Sequence, residues 1–380
     1  MTALHILHVI VPQREDAIGG ADLHMRDLAR TQREHEGCDV SVLTPRAPQR
    51  YLDLLTAAGL DILPARDVFT VARIPIELSI SLVHAHGYEA SYLVAAMRTL
   101  SPSWRRLPTV MTAHGWIETT PWLRIKSALD RLASRAAHVR IASASRHAPR
   151  FPGPGVVRVI HNGVPMPTTS LEQRTADKAP GRARCQVPQD QPVVGFVGRL
   201  SPEKRPDLFL RLAHALANED GPHFILVGGG AMRGSLVELA ADLGIVDKVT
   251  FTGLIGDVDP MYEMMDILVQ PSDTEGTPRS VLEAMAHSVP VVATDVGDVA
   301  ELLDHGRCGM LTSPGNLEGL AAAVTSLLAD PAAARKLAKS SHERYLSRYT
   351  IETMSSQIRD AYQTAVDLAA SRARIRTRAQ

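Results

Sequence analysis

Two glutamates at a fixed spacing, Glu275 and Glu283, are the residues whose types most directly suggest chemistry. In the stretch QPSDTEGTPRSVLEAMAHSVPVVATD, Glu275 precedes a glycine turn and Glu283 follows eight residues later, inside a short predicted helix. If every step between them were helical, the rise would be about 12 Å, too far for a shared proton or metal ion. The pair instead suits the two ends of one long ligand with hydroxyl groups at both ends. The plainer alternative is two solvated carboxylates at a helix terminus.

The start of this helix is a second candidate binding feature. Thr277 is expected to cap a helix whose first residue is Pro278, because a proline loses no hydrogen bond at that position. The free amides near Arg279 and Ser280 would point toward the turn at Gly276 and favour an anion such as phosphate. A ligand with phosphate groups between two hydroxyl-bearing ends fits this arrangement.

The longer stretch EGTPRSVLEAMAHSVPVVATDVGDVAELL resembles the signature of retaining glycosyltransferases of family 4, which have the GT-B fold. The resemblance implies that Glu275 holds hydroxyls of the donor sugar and that Glu283 holds the ribose of its nucleotide. It implies an α/β fold with two Rossmann-like domains facing across a cleft. The other donor-binding residues predicted in this stretch are Gly276, Thr277, Arg279 and Ser280.

A pair of cations lies earlier in the same half of the chain. The segment VVGFVGRLSPEKRPDL is typical of a strand, a turn and a helix, and it places Arg199 and Lys204 in the turn and at the helix start. Both charges could stabilise a departing nucleoside diphosphate. The family carries the same Gly-Arg and Glu-Lys pair in this role. Arg205 stands where glycine is frequent in the family, which predicts a stiffer loop.

The first half of the chain alternates predicted strands with predicted helices, which indicates a parallel, doubly wound sheet. Gly19 and Gly20 follow the first predicted strand (4–10), at the edge where ligands collect. The glycines alone suit a simple strand-to-helix turn equally well, whereas the resemblance places them against the donor diphosphate and the acceptor. His114 lies at the carboxyl end of another predicted strand (109–116). The resemblance identifies it as the histidine that contacts the donor sugar near the reacting carbon.

His84 and His86 share one face of a predicted strand, a spacing that suits metal ligands. We expect no metal site there, because the sequence offers no third ligand nearby. His86 and Trp116 are predicted instead as acceptor-side contacts. Asp257 and Asp259 follow a glycine in a region that resembles a surface turn, so we do not expect them to form the Asp-x-Asp metal site of the other transferase fold. Neither a metal nor another cofactor is therefore expected.

Length and composition fit a globular protein of two domains. The chain has 380 residues, 45% hydrophobic and 22% charged, with a formal net charge of zero. Three isolated cysteines favour neither a disulfide framework nor a zinc knuckle, which suits a reducing cytoplasm. The predicted parts are an acceptor-binding domain (1–165), a linker (166–190), a donor-binding domain (191–348), and a terminal helix that returns to the first domain and ends in a basic, disordered tail (349–380).

A basic region covers residues 98–158, which hold eleven Lys and Arg against two acidic residues. Within it, apolar residues recur at helical spacing between Trp122 and Ala136, with arginines off that stripe. One interpretation is a packed helix with solvated arginines. The other is a patch that holds an anionic acceptor or lies on anionic lipid. The sequence has no basic leader and no apolar run long enough to span a membrane, so any membrane association is expected to be peripheral, at the inner face.

The function expected from the resemblance is transfer of a hexosyl unit from a nucleotide sugar to an acceptor hydroxyl, with the anomeric configuration retained. UDP-sugars are favoured over GDP-sugars, and the expected setting is glycolipid, polysaccharide or glycoconjugate biosynthesis. The acceptor is unknown, possible choices being lipid-linked or anionic molecules, and no nucleic acid is expected. A nucleotide-sugar epimerase of the same fold and a non-catalytic binding protein stay open as alternatives. The residues assigned to catalysis are His114, Arg199, Lys204 and Glu275.

Overall fold

The computed structural model describes residues 4–12, 18–63, 65, 67–116, 120–168, 179–219 and 221–378. The chain divides into two compact units. Unit 1 comprises the residues up to Gly163 together with those from Ile351 onward, and unit 2 comprises Val164–Thr350. Of the linker predicted at 166–190, residues 169–178 lie outside the described residues, and a helix begins at Ala179.

The described part of unit 1 contains a seven-stranded parallel sheet with the strand order β3-β2-β1-β4-β5-β6-β7. Its strands are β1 (His5–Ile10), β2 (Asp39–Leu43), β3 (Asp61–Leu63), β4 (Leu82–His86), β5 (Thr109–Ala113), β6 (Val139–Ala142) and β7 (Val156–Val159). The helices between them are α1 (Gly20–Glu34), α2 (Gln49–Ala57), α3 (Val68–Glu77), α4 (Tyr88–Leu100), α5 (Pro102–Arg106) and α6 (Pro121–Ala133). Strands β4 and β5 are buried at every position, as a sheet covered on both faces requires.

The described part of unit 2 contains a six-stranded parallel sheet with the order β10-β9-β8-β11-β12-β13. Its strands are β8 (Val193–Val197), β9 (His223–Val227), β10 (Val249–Gly253), β11 (Ile267–Gln270), β12 (Val291–Thr294) and β13 (Met310–Thr312). Its helices are α7 (Ala179–Cys185), α8 (Pro206–Leu216), α9 (Arg233–Asp242), α10 (Asp259–Met264), α11 (Arg279–Ala286), α12 (Val299–Leu302), α13 (Leu317–Ala329) and α14 (Pro331–Arg348). The connections from β8 through α8 to β9 and from β11 through α11 to β12 are the crossovers that bring the predicted donor-side residues to the carboxyl edge of this sheet.

The last helix, α15 (Ile351–Arg378), belongs to unit 1 although it follows unit 2 in the sequence. Met354, Ile358 and Tyr362 are buried against the core that also contains Ile6 and Leu82 of the sheet. The prediction of a disordered basic tail is wrong as far as Arg378, because the helix continues to that residue. Regular i to i−4 hydrogen bonding extends the helix beyond its last buried apolar turn.

Helix α6 contradicts the interpretation of its apolar stripe as a packed face. Trp122, Ile125, Leu129 and Leu132 keep 63%, 51%, 49% and 55% of their surface exposed. The buried side of the helix is formed instead by polar residues such as Asp130, which accepts a hydrogen bond of 2.8 Å from the Trp116 indole. Unit 1 therefore presents an apolar helix face to its surroundings.

Within the part of the chain that the structure describes, no helix combines the length and the apolar character needed to cross a membrane.

Candidate active site

Glu275 is the centre of a buried hydrogen-bonded cluster just beyond the carboxyl end of β11. Its Oε1 accepts hydrogen bonds of 2.7 Å from Gln270 Nε2 and 2.7 Å from Ser272 Oγ. Lys204 Nζ lies 2.6 Å from the same oxygen and 2.5 Å from Oε2. Burial without these partners would be costly for a carboxylate, and the three contacts fix its orientation. The structure thus brings together two of the residues predicted for catalysis, Lys204 and Glu275.

The turn that carries Arg199 and Lys204 is held by charge pairs of its own. Arg199 Nη2 donates a 3.0 Å hydrogen bond to Glu203 Oε1. Burial opposes ionisation of Glu203, but hydrogen bonds from Ser201 and a backbone amide, with the charges of Arg199 and Lys204, hold its pKa below the usual value. The next residue, Arg205, adopts a left-handed conformation with φ of +52°. This is the position at which the sequence departs from glycine, and a side chain strains the backbone there.

The short helix α11 begins one residue later than predicted. Pro278 occupies the N-cap, the first helical residue is Arg279, and no side chain caps the helix, so the assignment of Thr277 as the cap is wrong. Pro278 has extended backbone angles, with ψ of 120°, which an N-cap tolerates and an interior helical residue does not. The amides of Arg279 and Ser280 still lie in the first turn, where an anion is favoured.

Glu283 is fixed in α11 by two neighbours. Arg279 Nε donates a 2.6 Å hydrogen bond to its Oε1, and the Tyr262 hydroxyl donates one of 2.9 Å to its Oε2. Burial, followed by the charge of Glu283, raises the pKa of Tyr262 well above its usual value, so the hydroxyl remains a donor. Ser280 Oγ donates 2.8 Å to Gln270 Oε1, which connects the helix start to the Glu275 cluster.

Two glycines allow loops to pack closely around these residues. A Cβ on Gly297, which has φ of +63°, would lie 2.3 Å from the carbonyl oxygen of Glu275. A Cβ on Gly228 would lie 1.9 Å from the carbonyl oxygen of Gly198, beside Arg199. Neither position admits a side chain without moving the backbone of Glu275 in one case and of Gly198, the neighbour of Arg199, in the other.

In unit 1, the glycines predicted to meet the donor lie at the start of α1. Gly19 is the N-cap, with an extended conformation, and its amide donates a 2.7 Å hydrogen bond to Asp22 Oδ2. A Cβ on Gly20 would have no atom within 4 Å. The backbone conformation therefore does not require these glycines. Gly20 leaves open space at the helix start, whereas a Cβ on Gly19 would lie 3.3 Å from Asp22 Oδ2.

Histidines from strands β1 and β4, from helix α1 and from the residue that follows β5 meet in unit 1. The clustered residues are His8, His24, His84, His86 and His114. In each of the sets 8, 84, 86 and 24, 86, 114, one ring nitrogen per residue lies within 4.8 Å of the others. The inference that His84 and His86 have no third potential ligand nearby is therefore wrong. It failed because the further imidazoles come from other elements, as in the register pairing of His8 with His84.

These imidazoles are largely removed from solvent, and burial lowers the pKa values of His8 and His114 to about 4. Burial and the neighbouring histidines lower those of His84 and His86 well below the usual value. These four imidazoles are thus neutral near pH 7. His84 uses both nitrogens in hydrogen bonds of 2.7 Å, to the Tyr362 hydroxyl and to Thr112 Oγ1.

Trp116 is buried beside Phe151, with ring centroids 5.0 Å apart, and the guanidinium of Arg150 lies 5.2 Å from its ring. Burial raises the pKa of Asp130, its indole partner, despite this hydrogen bond. The role of Trp116 as an acceptor-side contact stays a prediction, because the structure shows only its packing and its contact with α6.

Sequence reasoning missed the residues that orient the two glutamates. Gln270 and Ser272 lie on the same side of the strand end, two positions apart, and both donate to Glu275. That spacing was visible in the sequence, as polar residues at the end of an otherwise apolar strand. Tyr262 and Gly297 come from other elements, and no local pattern connects them to the site.

Two family descriptions match the chain. "Glycosyltransferase Family 4" matches residues 18–166, and "Glycosyl transferases group 1" matches residues 177–344. Together they span most of both units.

Two relatives illustrate the sequence similarity. The lipopolysaccharide core biosynthesis glycosyltransferase LpsE of Rhizobium meliloti is 33% identical over 181 residues, which are 48% of this chain and 51% of that protein. The D-inositol 3-phosphate glycosyltransferase of Streptomyces avermitilis is 30% identical over 274 residues, which are 67% of this chain and 56% of that protein. The chain thus spans about half the length of the relatives it matches.

Among solved structures, HepE of Anabaena in complex with UDP-glucose superimposes with a TM-score of 0.81. The match covers 95% of this chain and all of that one, at 22% identity, which supports the fold alone. The expectation of an α/β fold with two Rossmann-like domains is confirmed. The two family matches and the two parallel sheets agree, and the chain belongs to the group 1, family 4 glycosyltransferases of the GT-B fold.

Proposed function

We propose that the protein transfers a hexosyl unit from a nucleoside-diphosphate sugar to an acceptor hydroxyl with retention of the anomeric configuration. The observation that carries the proposal is the prepared Glu275 cluster, a buried carboxylate oriented by Lys204, Gln270 and Ser272 at the edge where α/β sheets bind ligands. UDP is the preferred nucleotide, a choice supported by the complexes of HepE with UDP and UDP-glucose.

Each predicted residue has a role in this reaction. Glu275 orients hydroxyls of the sugar, and Glu283, fixed by Arg279 and Tyr262, holds the ribose. Arg199, Lys204 and the first amides of α11 stabilise the charge that develops on the diphosphate. The other predicted contributors are His114, which positions the sugar, and the donor-side residues Gly19, Gly20, Gly276, Thr277 and Ser280.

The bond changes follow from retention. The bond between the anomeric carbon and the diphosphate oxygen breaks, and the acceptor oxygen bonds to that carbon from the same face. The acceptor proton passes to an oxygen of the leaving diphosphate, so no protein base is required. We expect neither a metal ion nor another cofactor to take part, because the basic groups already oppose the developing charge.

The test measures release of nucleoside diphosphate from a panel of UDP- and GDP-sugars in the presence of EDTA. We expect one UDP-sugar to react, and we expect Glu275→Gln and Lys204→Ala each to reduce turnover by about 100-fold or more, the loss typical of removing one preorganised charged contact. Glu318→Ala, which changes an exposed carboxylate on α13, is the matched control and should react as the wild type does. Anomeric coupling constants of the product report retention.

Three outcomes would count against the proposal. An epimerised donor recovered without nucleotide release would favour a nucleotide-sugar epimerase. Tight donor binding without turnover for any acceptor would favour a binding protein. A product with inverted configuration would leave the glycosyl transfer in place and refute retention.

We further propose that the protein works at an anionic membrane surface, at the inner face of the membrane, with a lipid-linked acceptor used in glycolipid or polysaccharide synthesis. The exposed side chains of Trp122, Ile125, Leu129 and Leu132 form a continuous apolar face on α6. A groove of about 460 Å³ beside it is lined by residues of α4, α6 and the following turn, which are apolar, among them Leu129 and Leu132, except for Thr99. Arg124 on α6 and Arg135 in the turn that follows it are also exposed, within the basic region 98–158.

Charge and apolar character together favour lipid over a dissolved anion. Each basic residue near an anionic surface contributes about 1 kcal/mol of attraction. A dissolved anionic acceptor would use the arginines but would not require the apolar face. A bilayer interface can bind the arginines and the apolar face together, as it does in amphipathic surface helices.

Vesicle binding tests this proposal. Trp122 is exposed, whereas Trp104 and Trp116 are buried, so a blue shift of tryptophan fluorescence on addition of phosphatidylglycerol vesicles reports α6. We expect Leu129→Glu to weaken vesicle binding by about tenfold. The exposed half of the leucine side chain is then no longer transferred from water to lipid, and the new negative charge is repelled by the anionic surface. Val237→Glu, at an exposed apolar residue of α9, is the control. Equal binding to neutral vesicles, or no binding, would refute a role for the anionic surface.

A further inference from the structure

A chain of buried hydrogen bonds connects α15 to His114. Gln32 Nε2 donates to the Tyr362 hydroxyl at 3.2 Å, and Gln32 Oε1 lies 2.8 Å from His8 Nε2. His8 Nδ1 lies 2.9 Å from His86 Nε2, and His86 Nδ1 lies 3.4 Å from His114 Nε2. All five residues belong to unit 1.

The chain has one direction because it starts at an oxygen that can only accept. Gln32 Oε1 has no proton, so His8 must carry its proton on Nε2. A neutral imidazole carries a single N–H, so His8 Nδ1 accepts, and His86 must donate to it from Nε2. The Nδ1 of His86 then accepts in turn, which requires the proton of His114 to be on Nε2.

The amide of Gln32 is itself oriented by Tyr362. The Tyr362 oxygen accepts from Gln32, and its proton is then directed to His84 Nδ1, 2.7 Å away. His84 in turn donates from Nε2 to Thr112 Oγ1 at 2.7 Å. The reversed amide would reverse this branch as a whole, with Tyr362 donating to Gln32 and His84 donating to Tyr362. The orientation of the Gln32 amide in the structure therefore sets the direction of both branches.

We propose that the chain formed by Tyr362, Gln32, His8 and His86 holds His114 as its Nε2–H tautomer and thereby presents Nδ1 as the acceptor for a hydroxyl group of the donor sugar. Among the described residues, no hydrogen bond reaches His114 Nδ1. The inference rests on the proposed function, in which His114 contacts the sugar. The four other residues are positioning residues, since they act on the sugar only through His114.

The tautomer can be measured without substrate. In protein with ¹⁵N-labelled histidine, long-range ¹H–¹⁵N correlation distinguishes protonated from unprotonated ring nitrogens, and a His114→Asn sample assigns the signal. We expect a protonated Nε2 and an unprotonated Nδ1 in the wild type. A protonated Nδ1 would overturn the proposal, whatever the enzyme does with its substrates.

Variants of Gln32 test whether the chain of hydrogen bonds sets the tautomer of His114. Gln32→Met removes the accepting oxygen while keeping the side-chain length, and we expect the His114 signal to become a mixture of both tautomers. Gln32→Glu keeps an acceptor, and the Nε2–H tautomer should persist. Thr112→Val is the matched control, because it removes a buried hydrogen bond of His84 beside the chain but none within it. An unchanged His114 signal in a folded Gln32→Met protein would refute the role of the chain.

Kinetics with the sugar donor test whether the tautomer of His114 affects the reaction. We expect Gln32→Met to reduce kcat/KM for the sugar donor by about five- to tenfold, the effect of one lost hydrogen bond, with unchanged affinity for the free nucleoside diphosphate. Thr112→Val should match the wild type. An altered tautomer with unaltered kinetics would overturn the role assigned to Nδ1 and leave the proposed transfer reaction intact, whereas absence of turnover in the wild type would overturn the proposed function itself.

Discussion

Replacing Gly297 by alanine should displace Glu275 without touching its side chain. The added Cβ would lie 2.3 Å from the Glu275 carbonyl oxygen. Because an ordinary contact between carbon and oxygen is about 3.3 Å or longer, one of the two backbones must move by about 1 Å. A displacement of that size at a reacting group can reduce turnover by about 100-fold. Because alanine is strained in the left-handed conformation, the substitution should also lower the free energy of unfolding by about 1–2 kcal/mol.

Gly244→Ala separates these two effects. Gly244 has φ of +67°, nearly the same as the +63° of Gly297, and a Cβ there would have no atom within 4 Å. It should therefore show the backbone cost of about 1–2 kcal/mol and retain wild-type turnover. Urea unfolding gives the stability of each variant, and nucleotide release from the donor sugar gives its turnover.

The comparison between the two alanine variants shows whether the contact of Gly297 with Glu275 affects turnover beyond the backbone strain. Gly297→Ala should lose more stability than Gly244→Ala and should lose turnover while still binding the nucleotide. If the two variants have equal stability and equal turnover, the packing of Gly297 against Glu275 does not position the carboxylate, and the reasoning fails.

Three further predictions concern other parts of the molecule. Arg205→Gly should relieve the left-handed backbone strain but lose the 3.2 Å ion pair with Asp273, so the free energy of unfolding should stay within about 1 kcal/mol while the KM for the donor rises. Tyr262→Phe should weaken UDP binding by about fivefold, measured by calorimetric titration, because Glu283 loses one fixed donor. Burial lowers the pKa of His8 in the folded protein to about 4, below the value of about 6.5 expected for the unfolded chain. The free energy of unfolding should therefore be largest above pH 6.5 and fall by up to about 3 kcal/mol as the pH falls toward 4, because protonation then favours the unfolded chain. Urea unfolding at pH 7.5 and pH 5 should therefore show a larger acid destabilisation for the wild type than for His8→Gln.

The fold was predictable because its pattern is local and repeated. Strands of apolar residues, each followed by a helix, indicate parallel sheets, and the Glu275 to Glu283 stretch identifies the family without knowledge of tertiary contacts. The helix boundary at Pro278 could not be placed to one residue, because the sequence permits a cap at either position and backbone angles decide between them.

The side-chain environment was less predictable, because periodicity reveals a stripe but not what covers it. On α6 the stripe that includes Trp122 and Leu129 is exposed, whereas Asp130 faces inward, where its Oδ2 accepts a hydrogen bond from the indole of Trp116. The histidine cluster was missed for a related reason. Strand register, which brings His8 beside His84, depends on pairing between segments far apart in the chain.

The return of α15 to unit 1 means that the unit begun first is the last to be completed during synthesis. Tyr362 and its neighbours cover part of the first sheet, yet they leave the ribosome only after the roughly 190 residues of unit 2, Val164–Thr350. At a translation rate of about 5–20 residues per second, that apolar surface stays uncovered for about 10–40 s. The second unit can therefore fold during synthesis, whereas the first is completed last and needs protection from aggregation in the meantime.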